Sequence, residues 1–238
     1  MNPNSMLYWY PRVADADVPQ PETIIVPVPP GFNPSTVLDG APFPPKLVTA
    51  VRDACAEVGY PAFLRGDLTS GKHGWLTTCY VEGPLSVLAR MDALVEASIF
   101  GPGEPPGAFV ARKFLRLRAP FAAFNGLPIA QERRYFVRDG QVQCHHPYWP
   151  EDALRFEGRR PWGWRKRLKV LNQETFGEVS RLWVYAERLA AHLDGYWSVD
   201  FACDGADKWW FIDAALGQES WHPPCVVNLP EAADALRP

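Results

Sequence analysis

The sequence predicts an α+β fold in which two lobes, each built on an antiparallel sheet, face each other across a cleft. Strand-like runs and helical periodicities follow in the order strand, loop, strand, helix, then strands, helix and a final hairpin. This lacks the strict strand–helix alternation of a parallel sheet. A Gly/Pro-rich stretch, "GPGEPPG" at 101–107, separates the two blocks. A chain of 238 residues is long enough for two closely packed lobes. The expected organisation is a proline-rich arm over 1–45, a first lobe over 46–107 and a second over 108–238.

Each element has its own reason. Many of the 25 prolines fall in the arm, where "IIVPVPPGF" is the one strand-like run, so 24–28 reads as an edge strand on an extended segment. "PKLVTAVRDACAEVGY" places Leu47, Val48, Val51, Cys55 and Val58 on one helical face, with Gly59 as the stop. Strands are expected at 62–65 and 75–81, joined by a polar loop. "GPLSVLARMDALVEASIF" starts a helix at Pro84, with Leu85, Leu88, Met91 and Val95 turned inward. Past the hinge, "FVARKFLRL" alternates as a strand, and "ERRYFVRDGQVQCHH" is a hairpin turning at Asp139-Gly140. Residues 147–169 read as a Trp- and Arg-rich loop. A long helix is expected over 174–193, burying Phe176, Val179, Trp183, Ala186 and Leu193, with Gly195 ending it. A hairpin, "YWSVDFACDGADKWWFID", and an irregular tail close the chain.

Composition narrows the function classes. With 47% hydrophobic and 21% charged residues the chain reads as an ordinary globular protein. No apolar run is long enough to span a bilayer, and the start has neither the basic nor the apolar region of a signal peptide. Cysteines 55, 79, 144, 203 and 225 are odd in number and widely spaced, which favours free thiols and a cytoplasmic setting over disulfides or a zinc site. The net charge of −3 hides an asymmetry: residues 112–169 hold 14 of the 24 Lys+Arg and 5 of the 27 Asp+Glu, leaving −12 elsewhere. A basic middle between acidic ends suits an anion held at the centre of the fold, or one solvated basic face.

Three stretches offer chemistry. In the final hairpin, pairing Asp204 with Asp207 puts Asp200 opposite Phe211, so Asp200 and Asp213 become diagonal neighbours on one face, roughly 7–8 Å apart at the backbone. Two such carboxylates can converge on Mg²⁺, or decorate a solvent-facing hairpin. In "QERRYF", strand alternation sends Glu132, Arg134 and Phe136 to one face and Arg133 and Tyr135 to the other. Glu132 and Arg134 suit ribose hydroxyls or phosphate, or an ordinary ion pair on a sheet. "FLRGDLTSGKHGW", 63–75, offers Arg65 and Lys72 around a flexible Thr69-Ser70-Gly71 to a polyphosphate, although it lacks the G-x-x-x-x-G-K-[ST] spacing. Alone it reads as a polar turn. His145-His146 and the cysteines show no catalytic spacing. "GRRPWGWRKRLK" mixes cations with Trp162 and Trp164, as RNA or an acidic peptide would need, or forms a solvated loop.

Together the stretches resemble the ATP-grasp superfamily over about residues 60 to 222. "QERRYFVRDG" is similar to its E-x-R-x-F-V strand and turn, and "VDFACDGADKWWFIDAALGQES" to its metal-binding close. "LRGDLTSGKHGW" and "GLPIAQERRYFVRDGQVQCHHPYW" resemble the R-two-K clade of bacterial and phage members, and "FID" a eukaryotic cell-division-cycle assembly protein. The resemblance implies an ATP-grasp fold with ATP and Mg²⁺ as cofactors. It implies that Arg65 and Lys72 grip phosphates, Glu132 and Arg134 contact ribose or phosphate, and Asp200 and Asp213 hold Mg²⁺, with Lys72 and Arg134 as the catalytic cations. Ala215 stands where the family has a metal-binding Asn, leaving Gln218 as substitute or the metal held more weakly; Arg112-Lys113 precede Phe114 where Gln-Glu is expected.

The implied activity is an ATP- and Mg²⁺-dependent carboxylate–amine ligase acting through an acyl phosphate. The alternative is an ATP-binding assembly protein with little turnover. A substrate domain reduced to about 45 residues favours a peptide or protein substrate over a small molecule. A nucleic-acid partner is opposed by a pI near 6.0.

Overall fold

The computed structural model describes residues 1–101, 104–155 and 161–223. Two four-stranded antiparallel sheets form its frame. The first joins, in spatial order, β1 (Thr23–Pro27), β4 (Ala108–Lys113), β2 (Ala62–Gly66) and β3 (Tyr80–Val81). The second joins β10 (Trp209–Leu216), β9 (Tyr196–Cys203), β7 (Glu132–Arg138) and β8 (Gln141–Pro147). Between them in sequence, β5 (Phe121–Ala123) and β6 (Leu127–Ile129) pair as a small ribbon. β1 is an edge strand, which tolerates its Pro27. Asp139 and Gly140, at φ 47° and 84°, make the primed turn that Asp-Gly favours between β7 and β8.

Helices cover the outer face of each sheet. α2 (Pro45–Val58) and α4 (Val87–Phe100) bury Leu47, Val51, Cys55, Met91 and Leu94 against Leu64, Phe109 and Ala111 of the first sheet. α7 (Phe176–Ala190) lays Leu182, Ala186 and Leu189 on Tyr135, Val199 and Phe201 of the second. A third cluster joins the ribbon to α5 (Glu151–Arg155) and α6 (Trp164–Leu171) through Phe121, Ile129, Leu154, Trp164 and Leu168.

Five expectations change. The arm is not merely extended: its first residues form α1 (Met6–Val13), whose Met6, Trp9 and Val13 are fully buried in the second lobe's core. Their helical spacing was masked by the surrounding prolines. A tryptophan burying roughly 200 Å² at about 25 cal/mol/Å² contributes on the order of 5 kcal/mol before entropy, so α1 is a structural part of that lobe. The residues after 107 do not open the second lobe, because β4 lies between β1 and β2 in the first sheet. Residues 75–81 are mostly helical: a 3-10 turn at Lys72–Gly74 leads into α3 (Trp75–Thr78), with only β3 extended. The turn brings Trp75 against Phe63, Tyr80 and Phe114.

Helix phase accounts for the fourth change. Pro84–Ser86 are 3-10, so the stripe of α4 starts from Val87, leaving Leu85 and Leu88 exposed, while Phe176 at the start of α7 is also exposed. Finally, the expected loop at 147–169 contains α5 and α6, with Trp164 buried and Trp162 in solvent. Arg159, Arg160 and Cys225 lie outside the described residues.

Candidate functional site

The cleft face of the two sheets collects the candidate residues from six elements. Arg65 comes from β2, Arg112 from β4, Glu132 and Arg134 from β7, Asp200 from β9 and Asp213 from β10. Lys72 comes from the loop after β2. Alternation along β7 sorts its residues as expected: Arg133 and Tyr135 turn to α7, where Arg133 Nε donates to Glu178 and Tyr135 lies under its carbonyls, while Glu132 and Arg134 face the cleft. All but Gln218 of the expected site residues are thus gathered. Gln218 is exposed on the 3-10 turn Gly217–Glu219 beyond β10.

The two hairpin acids are closer than expected. The pairing departs from the expected register by two residues: Phe211 already faces Phe201, and the irregularity between Phe211 and Asp213 adds one more, so Asp213 sits directly opposite Asp200 instead of diagonally from it. One residue of the shift comes from the turn, where Asp204 N donates to the Lys208 carbonyl and not to Asp207, and the other from the bulge. Each acid already has a cation. Arg134 Nε and Nη2 donate to the two oxygens of Asp200, both at 2.7 Å, and Arg65 Nη1 lies 3.0 Å from Asp213 Oδ2. Burial pulls the Arg134 pKa down, but the Asp200 carboxylate outweighs it and holds it above the ordinary arginine range.

Across the cleft the loop reaches the second lobe. Lys72 Nζ donates to the Tyr148 hydroxyl at 3.1 Å and lies 3.7 Å from Glu132 Oε2. Burial lowers its pKa, yet Tyr148 and Glu132 more than compensate and keep the ammonium charged. Glu132 is 4% exposed; burial raises its pKa and Lys72 opposes the rise. Trp149 Nε1 donates to Glu132 Oε1 at 3.2 Å, while Oε2 has no hydrogen-bond partner. His73 stacks on Phe124 at 4.6 Å, tying the loop to the ribbon. Gly71 makes the loop possible: its φ is 60°, and a Cβ there would come within 2.9 Å of Leu94.

Between the lobes lies a cavity of about 240 Å³. Its apolar walls are Phe63, Trp75, Leu127 and Pro128, and the segment 113–117 runs along one side as the chain crosses between lobes. Its polar end carries Arg65, Lys72, Arg112, Glu132, Asp200 and Asp213. Arg112 is the residue sequence reasoning undervalued. Its Nε donates to Thr23 Oγ1 at 3.0 Å and its Nη1 to the Ile212 carbonyl, but Nη2 is buried without a partner. Burial, helped by the Arg65 charge, lowers its pKa to about 10. A charged residue near the end of a largely apolar strand run was the available signal.

Arg65, Lys72 and Arg112, with Arg112 Nη2 unpartnered, offer donors to an anion, while Glu132 Oε2, with Lys72 3.7 Å away, can accept from a hydroxyl. Among the described residues no three His, Cys, Asp or Glu side chains gather as a metal cage. Two directly opposed carboxylates suit Mg²⁺, which takes one or two carboxylates and fills its shell with phosphate oxygens and water.

Residues 39–235 match the profile of the ATP-grasp domain, family 3 of the R-two-K clade. The chain belongs to this family. Solved structures agree on the fold. C-terminally truncated Cdc123 from Schizosaccharomyces pombe superposes with a TM-score of 0.55 at 14% identity, covering 90% of this chain and 83% of that one. The biotin carboxylase domain of Hydrogenobacter thermophilus 2-oxoglutarate carboxylase, in complex with MgADP, ADP and bicarbonate, gives 0.53 at 12%, covering 90% and 39%. D-alanyl-alanine synthetase A from Vibrio cholerae gives 0.50 at 10%, covering 90% and 54%. At these identities they bear on fold alone. Among curated proteins no sequence matches this chain. No described helix is long and apolar enough to cross a membrane.

Proposed function

We propose that the cleft binds ATP with Mg²⁺ and that the protein is a carboxylate–amine ligase. The observation that carries this reading is the buried polar end of the cavity, where Arg112 Nη2 has no hydrogen-bond partner and Glu132 Oε2 has only the Lys72 ammonium, 3.7 Å away. An unsatisfied buried polar group costs about 1–3 kcal/mol, so such atoms fit a site completed by a ligand. A cavity of about 240 Å³ is small for a ligand cleft but suits the flat apolar part of a nucleotide, with phosphates beside Arg65, Lys72 and Arg112. The MgADP complex of a protein sharing the fold supports the choice of nucleotide.

In this reading Phe63, Trp75 and Pro128 enclose the adenine. Arg65, Lys72 and Arg112 hold phosphate oxygens, and Glu132 accepts from a ribose hydroxyl. Asp200 and Asp213 hold the cation, which supplies neutralisation of phosphate charge. Gln218, exposed on its turn, would have to swing in to add a ligand. Lys72 and Arg134 stabilise negative charge developing on the phosphoryl group in transit. A carboxylate oxygen attacks the γ-phosphorus and ADP leaves; an amine then attacks the acyl carbon and inorganic phosphate departs carrying that oxygen. No side-chain nucleophile is needed.

This predicts a specific isotope result. With a heavy-oxygen-labelled carboxylate, the phosphate released should carry one labelled oxygen per turnover, and ADP should form only when donor and amine are both present. ATP bound with no ADP formed across carboxylate, amine and peptide panels would instead favour an assembly role. That second reading rests on the fold shared with Cdc123.

A further inference from the structure

A second concavity, larger than the cleft cavity, lies away from the cleft. It is an open trough of about 900 Å³ on the α7 side of the second sheet, floored by Trp209 and Leu171. Four cations line it: Arg118, Lys166, Arg167 and Arg181. Its two acids are already matched, Asp207 by Arg118 and Glu178 by Arg133. Among the described residues Lys166, Arg167 and Arg181 have no acidic partner, and Arg167 donates only to the Pro120 carbonyl at 3.1 Å.

The basic character is built by α6. Trp164, Leu168 and Leu171 anchor the helix in the third core cluster, which forces Arg165, Lys166, Arg167 and Lys169 outward together. Val170, beside them, is left 61% exposed on the trough wall. The same stretch drew notice in the sequence for its mix of cations and rings, and ATP binding makes no use of it.

We infer that this trough docks an acidic, extended peptide segment of a partner or substrate protein. Charge complementarity is the first argument, since three cations without acidic partners face one depression. The second is the remaining lining. Gln131 and Gln173 offer amides that can pair with a peptide backbone, while Pro120 and Val170 offer apolar contact. Nucleic acid fits less well, because single strands need aromatic faces to stack on. Trp164 and Trp209 are 7% and 5% exposed, and exposed Trp162 does not line the trough. The site is separate from the nucleotide cavity: Gln131 and Arg118 line the trough where the adjacent Glu132 and Leu117 line the cavity.

The test is fluorescence anisotropy of the full chain with a labelled poly-glutamate peptide, a poly-glutamine peptide of equal length and a single-stranded oligouridylate. Poly-glutamate should bind, more weakly as salt rises, and poly-glutamine should not. Lys166→Glu with Arg181→Glu should weaken poly-glutamate binding about tenfold or more, while the thermal shift produced by ATP stays that of the wild type. Lys166→Gln with Arg181→Gln gives the same readout if charge reversal harms folding. The inference is overturned if poly-glutamate does not bind, if the folded variants bind it as the wild type does, or if oligouridylate binds as tightly through the same two residues. Loss of the ATP shift alone would count against the nucleotide site and leave this one standing.

Discussion

Replacing Arg112 with Met separates a ligand-binding cation from a structural one. A guanidinium held at about 10 against an ordinary 12.5 carries, at 1.36 kcal/mol per unit, about 3 kcal/mol against its charged form. Arg112 is 4% exposed, so solvent does little to soften that figure. Arg112→Met removes the charge and keeps most of the apolar stem. It also removes the bonds to Thr23 Oγ1 and the Ile212 carbonyl, at about 1.5–3 kcal/mol each for a charged donor. The two effects partly cancel, and the unliganded variant should lose no more than about 3 kcal/mol against the wild type in urea. ATP binding should weaken by about 1.5–3 kcal/mol, roughly 10- to 150-fold, in isothermal titration. The reasoning is refuted if the unliganded variant loses clearly more stability than that, which would make Arg112 a structural strut, or if ATP affinity does not change.

Three further outcomes follow from the same cluster. Lys72→Ala should weaken ATP binding by about 1.5–3 kcal/mol and leave Glu132 buried without its cation; adding Glu132→Gln should restore unliganded stability but not affinity, as read by urea unfolding and titration. Asp213→Asn strips Arg65, itself 4% exposed, of its carboxylate. Because Asp213 is a third exposed, screening limits the cost to about 1–2 kcal/mol, and the Mg²⁺-dependent part of ATP binding should disappear. His146 is buried, and burial lowers its pKa from 6.5 to about 4. The folded state therefore disfavours its protonation, so its stabilising contribution is complete above pH 6.5 and is lost as pH falls towards 4. His146→Gln should unfold with a shallower loss of stability across that window, and equal pH slopes for both proteins would contradict the burial argument.

Much of the site was legible because its parts are local. Strand alternation alone separates Glu132 and Arg134 from Arg133 and Tyr135, and the Asp139-Gly140 turn fixes where that hairpin reverses. The facing of Asp200 and Asp213 was legible, their register was not, since the turn closes on Lys208 and not on Asp207 and a bulge leaves no composition signature. Arg112 was missed as a site residue because its importance depends on β4 lying at the centre of the first sheet, a non-local pairing. The same holds for Tyr148, which meets Lys72 from 76 positions away. α1 was hidden for a different reason: Pro11 lies inside it, and tertiary burial of Trp9 outweighs the propensity cost.

If the cleft holds ATP between Arg65, Lys72 and Arg112 on one side and Asp200 and Asp213 on the other, the nucleotide must stabilise the folded chain. Thermal unfolding of the full chain with ATP, with and without Mg²⁺, tests it most directly. At about 100 times its dissociation constant the nucleotide should add about 2.7 kcal/mol of stability. ATP should raise the melting temperature clearly, more so with Mg²⁺, and Lys72→Ala should cut that rise to about half or less. No rise at millimolar ATP, or a rise that Lys72→Ala retains in full, would contradict it.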